Sequence, residues 1–291
     1  MPYHPIRPVE IACVCGPIGD DGAFLRLAEE AAAGGADLVA LPEAWQGWGE
    51  ADREGATERL RGIARSNRAY VLHPTILAEG GASYNAALLI GRGGEIEGRY
   101  EKLYPYWEEF PDVRPGRPQP LFDTDFGRVG AAICFDANFP SVWAGLSEAG
   151  AELVIWASAY GAGEQLAAHA LNHHYPIVTA TLSGHSMHFD IDGRLVDSVR
   201  ADGYFVKRHV LDLDRCIFHE NFNEAPLARL LSETPPRVEI ERRREAEQWI
   251  LVRSATEGAG AREACREAGM EELSAYKRRN RIEIDRMRGE G

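Results

Sequence analysis

The opening of the chain commits it to a strand, a crossing helix and a second strand. Val9 to Cys15 (Val-Glu-Ile-Ala-Cys-Val-Cys) is a short apolar run that reads as a strand. Gly16 to Gly22 turns, and Asp20 or Asp21 is placed to cap a helix from about Ala23 to Ala33. Gly34-Gly35 ends that helix, and Asp37 to Leu41 is the next buried strand. Pro42-Glu43 follows, so a carboxylate stands at a strand's C-terminal end, the edge where α/β sheets build their sites.

The same logic recurs at Gly127 to Asp136. Val129 to Ile133 reads as a buried strand bounded by a glycine turn, and Asp136 and Asn138 are candidate N-caps for a helix over Pro140 to Glu148. Cys134 then sits where a strand ends and a helix begins, and unpaired backbone N–H groups there favour a thiolate. A small buried thiol serving only as core is the bland alternative. Between these regions, Thr57 to Asn67 is a helix, and Tyr70 to Thr75, Tyr84 to Gly91 and Glu95 to Tyr100 are strands of antiparallel character, so the sheet is expected to be mixed. A proline-rich loop over 111–120 and a short strand over Leu121 to Asp125 lead into the Cys134 strand. Ala151 to Ala157, Pro176 to Leu182, a hairpin over 187–199 and Tyr204 to Leu213 are further strands, and Gly163 to Asn172 is a helix. Residues 237–291 are rich in Arg and Glu and read as helices with breaks near Gly258–Gly260 and Gly269.

The 291 residues fit one large domain or two small ones, and 45% apolar content is enough for a sizeable core. A formal charge of −13 argues against a nucleic-acid or anionic-membrane partner. Met1 to Glu10 carries prolines and no apolar run, so no signal peptide is expected there, and no stretch approaches the roughly 20 apolar residues of a membrane span. The five cysteines (13, 15, 134, 216 and 265) form no disulfide framework and no Cys-x-x-Cys pair, which points to a reducing cytoplasm and away from structural zinc. The glycines 16, 19 and 22 lack a following Lys-Ser/Thr, and Asp20-Asp21 would repel a phosphate.

Glu43, Lys102 and Cys134 each stand near a strand end, and their neighbours carry a resemblance. Leu41-Pro42-Glu43, Glu101-Lys102-Leu103 with Pro105, Phe122-Asp123-Thr124, Gly127-Arg128-Val129-Gly130, Ile133-Cys134-Phe135-Asp136 and Phe139-Pro140 resemble the nitrilase superfamily of carbon–nitrogen hydrolases. Tyr84-Asn85-Ala86-Ala87-Leu88-Leu89-Ile90-Gly91 and Asp192-Gly193-Arg194 add to it. The resemblance runs from about Val9 to Asp212 and implies a four-layer α-β-β-α sandwich with mixed sheets. It also implies a Glu-Lys-Cys triad: Glu43 as general base, Lys102 as the lysine and Cys134 as nucleophile. A second glutamate follows the lysine in many members. Glu109, seven positions on, matches best, with Glu108 as the fallback. On this basis residues 1–231 are expected to form the hydrolase domain and 232–291 a C-terminal helical extension that forms an interface in a homodimer or larger homo-oligomer.

The expected chemistry is hydrolysis of a small linear amide or N-carbamoyl compound. The Cys134 thiolate attacks, Lys102 and the Phe135 backbone N–H hold the oxyanion, and a thioester is hydrolysed by water activated at Glu43. No metal and no organic cofactor is required. A nitrilase is the runner-up, and a catalytically silent binding or assembly protein on the same fold is the alternative of another class. Trp45 and Trp107 are candidates to line an apolar pocket, beside Phe135. His185 is a candidate substrate contact, and so is Asn138. Many relatives carry arginine where Asn138 stands, which weakens any assignment to carboxylate-bearing substrates. Phe135-Asp136 after the cysteine looks like the amidase and carbamoylase branches. His169 and His173 share a helix face but lack a third metal ligand.

Overall fold

The computed structural model describes residues 8–49, 51–118, 121–256, 258 and 260–289. The expectation of no signal peptide over Met1 to Glu10 therefore falls largely outside the described residues, as do the end of the proline-rich loop and part of the break near Gly258–Gly260. The chain divides into two compact units, one over Val9–Leu211 and one that includes Asp212 onward.

The larger unit begins with β1 (Val9–Cys15), α1 (Asp21–Ala33), β2 (Leu38–Ala40) and α2 (Arg53–Asn67). Asp20 caps α1, its carboxylate accepting from the Ala23 N–H at 2.9 Å. There follow β3 (Tyr70–Glu79), β4 (Ala82–Ile90), β5 (Ile96–Glu101), β6 (Phe122–Thr124), β7 (Gly127–Ile133), α3 (Pro140–Ala149), β8 (Leu153–Ser158), α4 (Gly163–His173), β9 (Ile177–Thr181), β10 (His185–Phe189), β11 (Leu195–Arg200) and β12 (Phe205–Leu211). These strands make two six-stranded sheets, ordered β12-β1-β2-β3-β4-β5 and β11-β10-β9-β8-β7-β6. Both are mixed in the same way. β1, β2 and β3 run parallel, as do β7, β8 and β9, and antiparallel strands flank each trio.

Helices cover one face of each sheet. Phe24, Leu25, Ala28, Leu60, Ile63 and Ala64 of α1 and α2 pack on β1 to β3, and Val142, Trp143, Leu146, Leu166 and Ala170 of α3 and α4 pack on β7 to β10. The other faces meet each other. The Thr181 N–H donates to Cys15 Sγ at 3.3 Å, and the Ser186 hydroxyl and His209 Nε2 pair at 2.9 Å, each joining one sheet to the other. This is the expected α-β-β-α sandwich.

The smaller unit corrects two expectations. It begins at residue 212 and not at 232, and it is not a helical extension. β13 (Cys216–His219), α5 (Glu220–Leu231), β14 (Val238–Arg244), β15 (Trp249–Ser254), α6 (Ala261–Glu267) and α7 (Leu273–Arg288) form a three-stranded sheet with helices, in the order β13-β15-β14. Cys216, Phe218, Val238, Ile250 and Val252 bury one face against Leu227, Leu230 and Ala264. The alternation of Val238 and Ile240 with charged residues is a strand's period of two, and burial of that face outweighs the helix propensity of Arg and Glu. Among the described residues no helix is long and apolar enough to cross a membrane.

Candidate active site

Three strand ends and one strand interior converge on a buried ion cluster. β2 ends at Ala40, and Leu41-Pro42 carry the chain to Glu43. The next residue, Ala44, has φ +44°, a left-handed conformation that a non-glycine residue adopts only where packing imposes it. Trp45 supplies that packing: it is fully buried against Phe24, and its indole N–H donates to His73 Nδ1 at 3.2 Å. Lys102 follows the last residue of β5 and extends the ladder, its N–H donating to the Asn85 carbonyl of β4 at 2.8 Å. Opposed residues of an antiparallel pair share a face, so the Asn85 and Lys102 side chains reach the same place.

Lys102 Nζ donates to Glu43 Oε1 at 2.8 Å and to Glu109 Oε2 at 2.6 Å. Asn85 Nδ2 donates to the same Glu43 oxygen at 2.8 Å and to Glu109 Oε1 at 3.0 Å. The other Glu43 oxygen accepts from the Ala159 N–H, just past β8, at 3.0 Å. Glu43 and Lys102 are each 1% exposed. A buried ammonium between two carboxylates with further donors is the arrangement in which buried charge is tolerated. Burial alone would lower the Lys102 pKa, but Glu43, Cys134 and Glu109 outweigh it and hold the ammonium well above its ordinary value.

Cys134 follows β7 with φ +45°, the same strained region as Ala44. Its carbonyl accepts from the Trp156 indole N–H at 3.2 Å. Asp136 locks the turn beneath it. The Asp136 carboxylate accepts from the Ile133 N–H at 3.0 Å, the Tyr104 N–H at 2.9 Å and the Tyr100 hydroxyl at 2.7 Å. This corrects the capping expectation: Asp136 points inward, and Phe139 precedes α3 with no side-chain cap. The Cys134 side chain faces the Glu43 carboxylate and the Ser158 hydroxyl. Burial and the Glu43 charge push its thiol up to about 12, against the opposite pull of Lys102. The resting cysteine is therefore a thiol beside a carboxylate able to take its proton.

These groups open into a cavity of about 810 Å³, of a size usual for small ligands. Cys134, Lys102, Glu43, Glu109 and the Ala159 backbone lie at one part of the lining, and Trp48, Ile76, Tyr106, Val113, Phe135 and Tyr160 supply apolar wall. Of the expected contacts, Phe135 and Asn138 do line the cavity. Trp45 does not, because it is committed to the core on the helix side of its sheet; Trp48, three residues on, takes that place. Trp107 is 65% exposed and packs on Tyr106 outside the lining. His185 also lies outside it, its Nε2 paired with the Ser198 hydroxyl at 2.9 Å. Glu109 is buried on Lys102, whereas Glu108 is exposed on the cavity rim, so the two glutamates differ in kind. His169 stacks on Trp143 at 4.4 Å and meets the Ala137 carbonyl, and among the described residues no three metal-ligating side chains converge. Asn85, Ser158 and Asp112 are site residues the sequence reading did not single out. Only Asn85 carried a signal, as part of the quoted Tyr84–Gly91 stretch.

The model of the carbon-nitrogen hydrolase family matches residues 22–203, more than half of the chain. The chain belongs to that family. Among its relatives, a nitrilase of Pyrococcus abyssi is 32% identical over 143 residues, covering 44% of this chain and 54% of the relative. A deaminated glutathione amidase of Synechocystis sp. is 29% identical over 154 residues, covering 44% and 56%. The chain thus spans about half the length of the curated relatives it matches. The fold is also that of a variant of the amidase from Nesterenkonia sp. AN1 that carries the acetamide moiety of fluoroacetamide at its active site cysteine: TM-score 0.64 at 22% identity, over 71% of this chain and 91% of that one.

Proposed function

We propose that the protein hydrolyses a non-peptide carbon–nitrogen bond in a small linear amide or N-carbamoyl compound, with Cys134 as nucleophile. The observation that carries this reading is one carboxylate, Glu43, shared between the Lys102 ammonium and the Cys134 thiol at the lining of a ligand-sized cavity. With its thiol pushed up to about 12, Cys134 loses its proton to Glu43 as Sγ attacks the carbonyl carbon, and not beforehand. The developing oxyanion is met by Lys102, whose charge is held by the two carboxylates, together with the Phe135 backbone N–H. The C–N bond breaks, the Glu43 proton leaves with ammonia or an amine, and the acyl group remains as a Cys134 thioester. A water deprotonated by Glu43 then attacks the thioester, giving the acid and restoring the thiol. Glu109 and Asn85 keep Lys102 and Glu43 in register throughout. The relative named as a nitrilase supports, as second reading, the same nucleophile acting on a nitrile.

Intact-protein mass spectrometry after incubation with amides, carbamoyl amines, carbamoyl amino acids and nitriles tests this, with ammonia release followed in parallel. The expected result is an acyl adduct on Cys134 accompanied by ammonia or amine release, both abolished in Cys134→Ala. Turnover by Cys134→Ala at the wild-type rate overturns the mechanism, and absence of both signals across the panel favours the silent-scaffold alternative.

A further inference from the structure

The charge around the cavity is one-sided. Besides the ion cluster, its lining holds two more carboxylates, Glu108 and Asp112. Both are exposed on the segment that follows Lys102, and among the described residues neither has an ion-pair partner. Lys102 is the lining's cation, and its charge is already matched by Glu43 and Glu109. Arg114 and Arg117, on the same segment, are exposed and do not line the cavity. Asn138, also in the lining, is neutral: its amide N–H donates to the Phe135 carbonyl at 3.2 Å, and its Oδ1 accepts from Gln165 Nε2 at 2.9 Å.

Trp48, 49% exposed, and Tyr106 add aromatic faces to the same lining. Carboxylates beside aromatic rings form an environment that attracts an organic cation and repels an anion. The net charge of −13 acts in the same direction at longer range. We infer that the cavity selects substrates with a cationic tail: an amide or carbamoyl compound whose far end is an ammonium or guanidinium, held by Glu108 and Asp112 while its carbonyl meets Cys134. This rests on the hydrolase reading above and names the substrate class within it. A substrate ending in a carboxylate would meet these two acids, and among the described residues the lining offers no unmatched cation to receive it.

Three primary amides of matched length test the inference: 5-aminopentanamide, pentanamide and the monoamide of glutaric acid. The expected order of kcat/KM is cationic, then neutral, then anionic. In a Glu108→Gln, Asp112→Asn double variant, the cationic-to-neutral ratio is expected to fall on the order of 10-fold, as removal of two partly solvated charge contacts would give. High salt should shrink the wild-type ratio in the same direction. Preference for the anionic amide, or a ratio that the double variant leaves in place, overturns the inference while the hydrolase reading stands. If none of the three amides is turned over and none acylates Cys134, the hydrolase reading for linear amides fails and this inference fails with it.

Discussion

The two units differ in how much charge they bury. In the larger unit, Glu43, Lys102 and Glu109 are buried together, and Asp136 is buried beneath Cys134. In the smaller unit, charges lie mostly on the surface as ion pairs such as Arg253–Glu239 and Arg286–Glu283, with side chains 45 to 69% exposed. Taking a charge out of water costs several kcal/mol and is sustained only by full satisfaction of its partners, whereas an exposed pair contributes little either way. The buried cluster therefore depends on every member, while the surface pairs are individually dispensable. Among the described residues, the desolvated charges are thus concentrated in the larger unit.

The largest effect should come from removing the central cation. In Lys102→Met, two carboxylates are left buried without their ammonium, so unfolding in denaturant should show a loss of roughly 3–5 kcal/mol. A Lys102→Met, Glu109→Gln double variant should recover part of that loss, because one uncompensated charge is gone. If Lys102 also holds the oxyanion, any turnover that remains should fall in kcat by about 10²-fold or more. A Lys102→Met protein as stable as wild type would erase the contrast between the units.

A second test uses pH. Burial raises the Asp136 carboxyl from its ordinary 3.8 to about 6, only partly offset by its three donors. Between those values the folded protein holds a proton that the unfolded chain has released. The stability this gives is fully present below about 3.8 and is lost as pH rises through about 6. The contribution is about 3 kcal/mol at most. Asp136→Asn should be less stable overall, since the amide accepts fewer hydrogen bonds, yet its stability should fall less steeply than that of wild type between pH 4 and 7. Parallel curves for the two proteins would mean that Asp136 is ionised throughout.

The contrast also explains what was legible in the sequence. β1, β2 and β7 each hold a short apolar run between turns (Ile11–Cys15, Leu38–Ala40 and Val129–Ile133), so the strand-end positions of Glu43 and Cys134 could be read directly, whereas the sandwich was legible only through the family resemblance. Lys102 was legible through its motif, but Asn85 needed the β4–β5 pairing to bring it against both glutamates. Trp45 and Trp48 flank the same turn, and nothing local says which faces the core; only the tertiary packing does, burying Trp45 against Phe24 and His73 and leaving Trp48 49% exposed. In the smaller unit, the Arg- and Glu-rich surface masked the strand alternation of Val238 and Ile240, because composition there reports solvent exposure and not the buried face.

The smallest expected effect is the control that gives the others their meaning. Glu239 of β14 and Arg253 of β15 stand directly opposite each other across the sheet, and Arg253 Nε meets Glu239 Oε1 at 2.6 Å. The geometry is as good as that of Lys102 with Glu43, yet both side chains are about half exposed. The pair trades good hydration for a screened attraction and pays side-chain entropy to hold one conformation. Arg253→Ala should therefore change unfolding stability by less than about 1 kcal/mol. The difference between the variant and wild type should narrow further in high salt, which leaves the buried Lys102 cluster largely untouched. A loss comparable to that of Lys102→Met would mean that contact geometry, and not desolvation, sets the worth of an ion pair in this protein.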